Sequence, residues 1–271
     1  RLSRSHAQSD CYFLPEYPAD LQGSDSRLAA DLREQIVASV QDYRPDDRQP
    51  WGCFLSGGTD SSSVVTILAR QRPDRRVRTC SIGFAEAGYN ELEYSRLAAR
   101  GCGADASFDT VDRARAMRLI DAIVDGFDQP FGNASAIPTL ACAELGASAG
   151  LTTLVAGDGG DEIFGGNQRY AKDRVMRAFH GLPGPARRGA RGIGRALGGG
   201  RSFLLNRVRN FTERASLPNP DRFYTDDAFA SEEYPSLLTP GFREEVGRDA
   251  SLEFMRRVYA RGTDAGELHR I

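Results

Sequence analysis

The sequence predicts an α/β fold, a doubly wound parallel sheet with a helical extension at its C-terminal end. Three observations carry that expectation. Short apolar runs alternate with segments of helical periodicity about 10–15 residues long, the pattern of strand–helix–strand units. Two glycine-rich loops each follow an apolar run, and such sheets bind ligands at the carboxyl ends of their strands. Beyond about Phe179 no strand pattern returns.

Taken in order, residues 1–24 are polar and aromatic with scattered Pro and Gly, and read as an entry arm. Leu28, Leu32, Ile36, Val37 and Val40 then recur at helical spacing, with Asp25 or Ser26 as the N-cap. Pro45 and the stretch to Pro50 end that helix. Trp51 to Leu55 reads as a buried strand, Ser56 to Thr59 as a tight turn, and Asp60 to Arg70 as a helix packed on the strand. A strand from Val77 to Phe84 leads to a helix over about Glu91 to Arg100. A weaker strand near Ser107 to Val111 precedes a helix over about Asp112 to Phe127. Gln129 to Pro138 holds two prolines and reads as a loop. After it come a helix over about Thr139 to Ala149 and a buried strand from Thr152 to Ala156.

Gly181 to Arg201 is rich in Gly and Arg. It reads as a mobile connection with a basic helix face; a nucleic-acid surface would interleave aromatic residues, and none lie within it. Short helices follow near Phe203 to Ala215 and Leu252 to Arg261. The organisation expected is therefore an arm at 1–24, a core at 25–180, and a connection with the start of a helical part at 181–271.

Composition narrows the function. Of 271 residues, Lys+Arg number 35 and Asp+Glu 37, so no global charge favours nucleic acid or an anionic membrane as a partner. No apolar run reaches the roughly 18 residues of a spanning helix. Five cysteines at wide spacing form neither a CxxC nor a zinc pattern, and Cys53 and Cys80 sit in apolar runs as small hydrophobes. A reduced, cytoplasmic setting is expected. His6, His180 and His269 are far apart and none neighbours a nucleophile motif, which disfavours a Ser-His-Asp or Cys-His hydrolase. A single lysine, Lys172, makes 34 of the 35 basic residues arginine, so any mechanism that needs a lysine has one candidate here.

The first loop, Leu55-Ser56-Gly57-Gly58-Thr59-Asp60-Ser61-Ser62, joins a strand to a helix. Its amides and those of the helix start favour a phosphate or pyrophosphate, the glycines permit close approach, and Ser56, Ser61 and Ser62 add hydroxyl donors. It is not a Walker A loop, having no lysine. Asp60 reads either as a ligand to a divalent cation or as the helix N-cap, and the motif alone leaves both open. The second loop, Gly157-Asp158-Gly159-Gly160-Asp161-Glu162, places three carboxylates within five residues, which calls for a cation or a role in proton transfer. Ile163 and Phe164 beside it are expected to be buried. Mg²⁺ suits such a site, because it takes one or two carboxylates with phosphate oxygens; Asp60 and Asp161 would clamp a Mg²⁺–pyrophosphate between them.

FLSGGTDSS resembles the pyrophosphate loop of the ATP-pyrophosphatase (PP-loop) superfamily. AGDGGDEIFGG, with FDQPFGNASAIPT before it, resembles the synthetase domain of glutamine-hydrolysing asparagine synthetases. The likeness spans roughly Trp51 to Tyr170 and implies the adenine-nucleotide α-hydrolase-like fold. It also implies ATP with Ser56 to Ser62 around its phosphates, and adenosine contacts from Leu55, Ile82, Ala156 and Gly157. A substrate carboxylate, aspartate by default, would attack the α-phosphorus, release Mg-pyrophosphate and form an acyl-adenylate. An amine, ammonia in the parent enzymes, would then displace AMP. By resemblance Asp158 manages protons from the amine, Asp161 binds metal or pyrophosphate, and Glu162 supports it. The family also brings a homodimer into view.

Three departures shape what carries over. The glutaminase needs a cysteine at its own N-terminus, whereas this sequence begins at Arg1 and Cys11 lies in the arm. Ammonia from glutamine is therefore expected from a domain outside these residues. Where the family often has a His-His-Glu-like stretch stand Ala106-Ser107-Phe108, and Gln129 replaces the acidic residue often found before Pro130. Both bear on the acceptor. Lys172 lies too near Glu162 to match the family's downstream catalytic lysine, so a fragment of a longer enzyme is expected. An adenylating cyclase closing a β-lactam or macrolactam, and a nucleotide-binding scaffold without chemistry, stand as the alternatives.

Overall fold

A computed structural model of the chain describes residues 22–86, 91–128, 131, 133–197, 202–224, 238–246 and 250–261. It divides into two units, one spanning Gly23–Phe164 and one taking in the described residues from Gly165 onward.

In the first unit a helix, α1 (Asp25–Asp42), starts at Ser24, whose hydroxyl accepts from the Arg27 amide at 3.4 Å. The N-cap is therefore one residue before the pair expected, because Asp25 and Ser26 already take helical positions. There follow β1 (Trp51–Phe54), α2 (Thr59–Gln71), β2 (Arg78–Phe84), α3 (Leu92–Cys102), β3 (Asp105–Val111), α4 (Arg113–Gly126), α5 (Ala136–Ser148), β4 (Thr153–Val155) and α6 (Gly160–Phe164). All strand pairs are parallel, in the order β3-β2-β1-β4. The α/β expectation holds. The order reverses at β1, which lies between β2 and β4, so the chain leaves β1 and β4 side by side with Cys53 level with Val155.

The two faces of the sheet carry separate cores. Cys53, Leu55 and Val77 pack with Val65 and Leu68 of α2 and Ala99 of α3. Cys80 and Leu151 meet Cys142 of α5, and Val111 meets Leu119 of α4 and Ala141 of α5. Helices thus cover both faces, as buried parallel sheets require. Ion pairs and caps tie the periphery: Arg115 reaches Asp109 at 2.6 Å and Glu144 at 3.0 Å, and Arg78 donates to the Ala149 carbonyl at 2.6 Å.

Helix α5 starts at Ala136, inside the stretch expected to be a loop through Pro138. Pro138 falls in the first turn, where the amide that proline lacks has no helical partner anyway.

The second unit is helical among the described residues: α7 (Gln168–His180), α8 (Gly184–Leu197), α9 (Phe203–Ala215), α10 (Asp221–Tyr224), α11 (Pro240–Val246) and α12 (Ala250–Arg261). Most of the stretch expected to be a mobile connection is α8. Its Gly194 lies so close to Thr212 of α9 that a methyl there would meet the hydroxyl at 2.3 Å, so packing overrides the low helix propensity of glycine. A buried ion pair joins Asp173 to Arg222 at 2.7 Å, and Met176, Thr212, Ala215 and Phe223 of the same unit are also buried. No helix among the described residues is long and apolar enough to cross a membrane.

Candidate functional site

The loop after β1 is held from behind. The Leu55 amide donates to the Cys80 carbonyl at 3.0 Å, and the Ser81 hydroxyl donates to the Leu55 carbonyl at 2.6 Å. With its side chain 1% exposed, Leu55 is committed to the sheet on every side. The Ser95 hydroxyl of α3 donates to the Ser56 carbonyl at 2.8 Å. Gly57 follows with φ +86°, and a Cβ there would lie 2.5 Å from the Tyr94 carbonyl carbon and 2.6 Å from the Ser95 nitrogen. Only glycine meets both demands, the left-handed backbone and the contact with the first turn of α3.

Hydroxyls stitch the turn internally. The Ser56 amide donates to Ser61 Oγ at 3.2 Å, the two hydroxyls lie 3.0 Å apart, and the Gly58 amide donates to Ser56 Oγ at 3.2 Å. When Ser61 gives its proton to Ser56, the exposed Ser56 hydroxyl keeps its own proton for an outside acceptor. Ser62 points elsewhere. Its hydroxyl is buried without a hydrogen-bond partner, and the residue lines a hollow of about 820 Å³ between α1 and α2.

The N-cap of α2 is Gly58, so no side chain caps the first-turn amides of the helix. Asp60 is the second helical residue, which removes the N-cap reading left open by the motif. Its carboxylate instead lies against the loop after β4. A Cβ on Gly160 would meet Asp60 Oδ2 at 2.4 Å, and one on Gly157 would meet the Asp60 carbonyl carbon and the Ser61 nitrogen at 3.1 Å. Two glycines of the second loop thus let it close on the first turn of α2. Asp158, Asp161, Glu162 and Ala156 are exposed beside this contact, and Gly157 is half-buried. Ile163 and Phe164 are 66% and 54% exposed, contrary to the burial expected, because α6 has only five residues and joins none of the three cores. Ile82 is half-buried and packs into the second and third cores.

Among the described residues no three His, Cys, Asp or Glu side chains gather as a metal cage. The donor set on offer, Asp60 against the second loop with exposed carboxylates nearby, fits an ion held mainly through ligand oxygens and water, as Mg²⁺ is. The thiols offer no nucleophile: burial pushes Cys53 and Cys142 up to about 12 and raises Cys80. Lys172 is exposed on α7, and His180 is engaged with Arg187 at 3.1 Å. Ala106 and Phe108 of β3 pack against the first core, with Arg96 over the Phe108 ring at 4.9 Å. Cys11, His6, His269 and Gln129 lie outside the described residues.

Ser81 and Ser95 escaped the sequence reading. Both are 2% exposed, and each occupies a buried position in an apolar pattern: Ser81 inside β2, Ser95 on the α3 stripe with Leu92 and Ala99. A hydroxyl at a buried position is the signal that was available.

A family model described as Asparagine synthase matches residues 31–259. Asparagine synthetase (glutamine-hydrolyzing) 1 of Bacillus subtilis is 28% identical over 203 residues, 75% of this chain and 31% of that protein. A putative asparagine synthetase (glutamine-hydrolyzing) 2 of Methanocaldococcus jannaschii is 30% identical over 270 residues, 96% of this chain and 48% of that protein. A protein named amidase chry2 from Gibberella zeae is 25% identical over 191 residues, 66% of this chain and 28% of that protein. The matches thus span between 28% and 48% of the length of these curated relatives.

Proposed function

Since the chain belongs to the asparagine synthase family, we propose that the unit at Gly23–Phe164 is the ATP-binding half of an amide-forming ligase. One observation carries the reading: the loops after β1 and β4 meet at Asp60, with Gly160 shaped to receive its carboxylate. Amides of Gly57 and the α2 first turn, with the Ser56 hydroxyl, bind the phosphates of ATP. Ser61 keeps the turn in shape through Ser56. Backbone at Ala156 and Gly157, with the apolar surface of Ile82, takes the adenosine. Leu55 serves from behind, as the strand end from which the loop departs.

A carboxylate acceptor, aspartate by default, attacks the α-phosphorus; the bond to pyrophosphate breaks and an acyl-adenylate forms. An amine then displaces AMP and gives the amide. Asp158 takes up a proton from the amine, and Glu162 supports the neighbouring Asp161. Asp60 and Asp161 would hold Mg²⁺, which would supply charge compensation for the pyrophosphate beside a first loop that has no lysine. The chain's own work is positioning and electrostatic stabilisation, with no covalent step on the protein. Ammonia would reach the site from glutamine through a glutaminase domain, in a cytoplasmic enzyme that assembles as a homodimer.

The likeness to a protein named amidase supports a second reading, in which the acid and the amine differ from aspartate and ammonia; ring closure by adenylation is the form of it the sequence left open. Exchange of labelled pyrophosphate into ATP, run on the full-length protein across candidate acids, tests both. Exchange with aspartate, and AMP release on adding ammonia, supports the first reading. Exchange with another acid supports the second, and none with any acid leaves the scaffold reading.

A further inference from the structure

On the basis of that nucleotide reading, we propose that Ser95, with Ser81 behind it, is a positioning residue that aims the peptide planes of the phosphate loop. A trans peptide is planar, so its carbonyl and the following amide point to opposite sides. Holding a carbonyl therefore aims the next amide. Ser81 holds the Leu55 carbonyl at 2.6 Å, and the Ser56 amide is thereby turned to Ser61 Oγ, which it reaches at 3.2 Å. Ser95 holds the Ser56 carbonyl at 2.8 Å against the first turn of α3, and the Gly57 amide is turned away from α3.

The second case matters more, because the Ser56–Gly57 peptide has little else to fix its direction. Gly57 must lack a Cβ, since the Tyr94 and Ser95 backbone lies 2.5–2.6 Å from where one would stand. The same glycine adopts positive and negative φ with similar ease, so nothing in its own geometry prevents that peptide from flipping. A flipped peptide would replace the Gly57 amide with the Ser56 carbonyl, presenting partial negative charge where an anion is to bind. The Ser95 hydroxyl, 2% exposed and so sheltered from competing water, selects the amide-out state. It touches no ligand; it acts through Ser56.

Calorimetric titration of the full-length protein with MgATP and with adenosine tests the assignment. Ser95→Ala should weaken MgATP by about 2- to 12-fold, the range that one hydrogen bond is worth. It should leave adenosine unchanged, because only the phosphates meet the loop. Ser95→Thr, which keeps the hydroxyl, should retain the preference for MgATP. Equal losses for both ligands would mean a purely structural role and overturn the assignment, as would unchanged MgATP binding. Wild-type protein that binds no MgATP would instead sink the nucleotide reading itself. Should Ser95→Ala fail to fold, the wild-type Gly57 amide gives the answer: its ¹⁵N–¹H resonance should move on titration with Mg-pyrophosphate, and a stationary resonance refutes the proposal.

Discussion

Replacing Gly160 by alanine presses first on one side chain, the Asp60 carboxylate. The added Cβ would stand 2.4 Å from Asp60 Oδ2, 2.7 Å from its Cγ and 3.0 Å from Oδ1. That is about 1 Å inside ordinary contact, so the carboxylate must retreat by roughly that distance. It sits at the end of a rotatable side chain, and the strain should stay within the ~0.5–1.5 kcal/mol of an off-rotamer torsion. Global stability should hardly change. Activity should change much more, because a displacement of ~1 Å at a reacting site can cost about 10²-fold. The assay is pyrophosphate–ATP exchange beside thermal unfolding of the same preparation. A Gly160→Ala protein that melts normally and exchanges at the wild-type rate would refute the idea that the second loop fixes Asp60. A double-mutant cycle sharpens it: if Gly160→Ala acts through Asp60, adding it to Asp60→Ala should cost almost nothing further.

Gly101→Ala is the converse case. This glycine lies in α3, a Cβ there meets nothing within 4 Å, and the substitution should raise stability by about 0.5–1 kcal/mol, read as a higher urea midpoint. The Arg115 hydrogen bond holds Asp109 below its ordinary value of 3.8. A lowered carboxyl favours the folded state above the unfolded pKa and loses that favour as pH falls through the folded one, so acid unfolding monitored by circular dichroism should be less steep in Asp109→Asn. The effect should be small, since the pair is partly exposed to solvent screening. Cys53, Cys80 and Cys142 should resist iodoacetamide at neutral pH in the folded protein and label fully in denaturant; rapid native labelling of Cys53, seen by mass spectrometry, would contradict its burial.

The central strands were legible as apolar runs that end at turns, and Cys53, Leu55 and Cys80 lie buried as such runs require, whereas β3, Asp-Ala-Ser-Phe-Asp-Thr-Val, carried a weaker signal. What escaped depended on partners distant in sequence. Helix α8 is held by α9: its basic face was legible, but the glycine that admits Thr212 reads in the sequence only as a source of mobility. Ile163 and Phe164 looked buried by type alone, yet five residues of α6 give them no surface to cover. Within the site the loops and their carboxylates could be named from spacing. The hydroxyls behind them could not, since a serine in an apolar stripe reads as a tolerated small residue until its acceptor is seen. Ser62 shows the converse: a hydroxyl inside the motif, turned toward α1 by the helical rotation that follows Gly58.

The strand order explains why such a loop needs its neighbour. With β1 between β2 and β4, the chain leaves two adjacent strands at the same level, and the glycines at 157 and 160 let the second loop lie on the first turn of α2. That contact sets acidic groups beside a turn whose donors are all neutral. By itself the pairing is electrostatically poor for an anion, because Asp60 repels what the amides attract. A divalent cation reverses the sign of that interaction, so the same carboxylate becomes the reason for binding rather than an obstacle to it. Lysine solves the problem in other phosphate loops by carrying the positive charge on the chain. Here 34 of 35 basic residues are arginine, the one lysine lies on α7, and the loops contain neither residue. On the function proposed above, the positive charge would arrive with the nucleotide, and the closeness of Asp60 to Gly160 supports that reading.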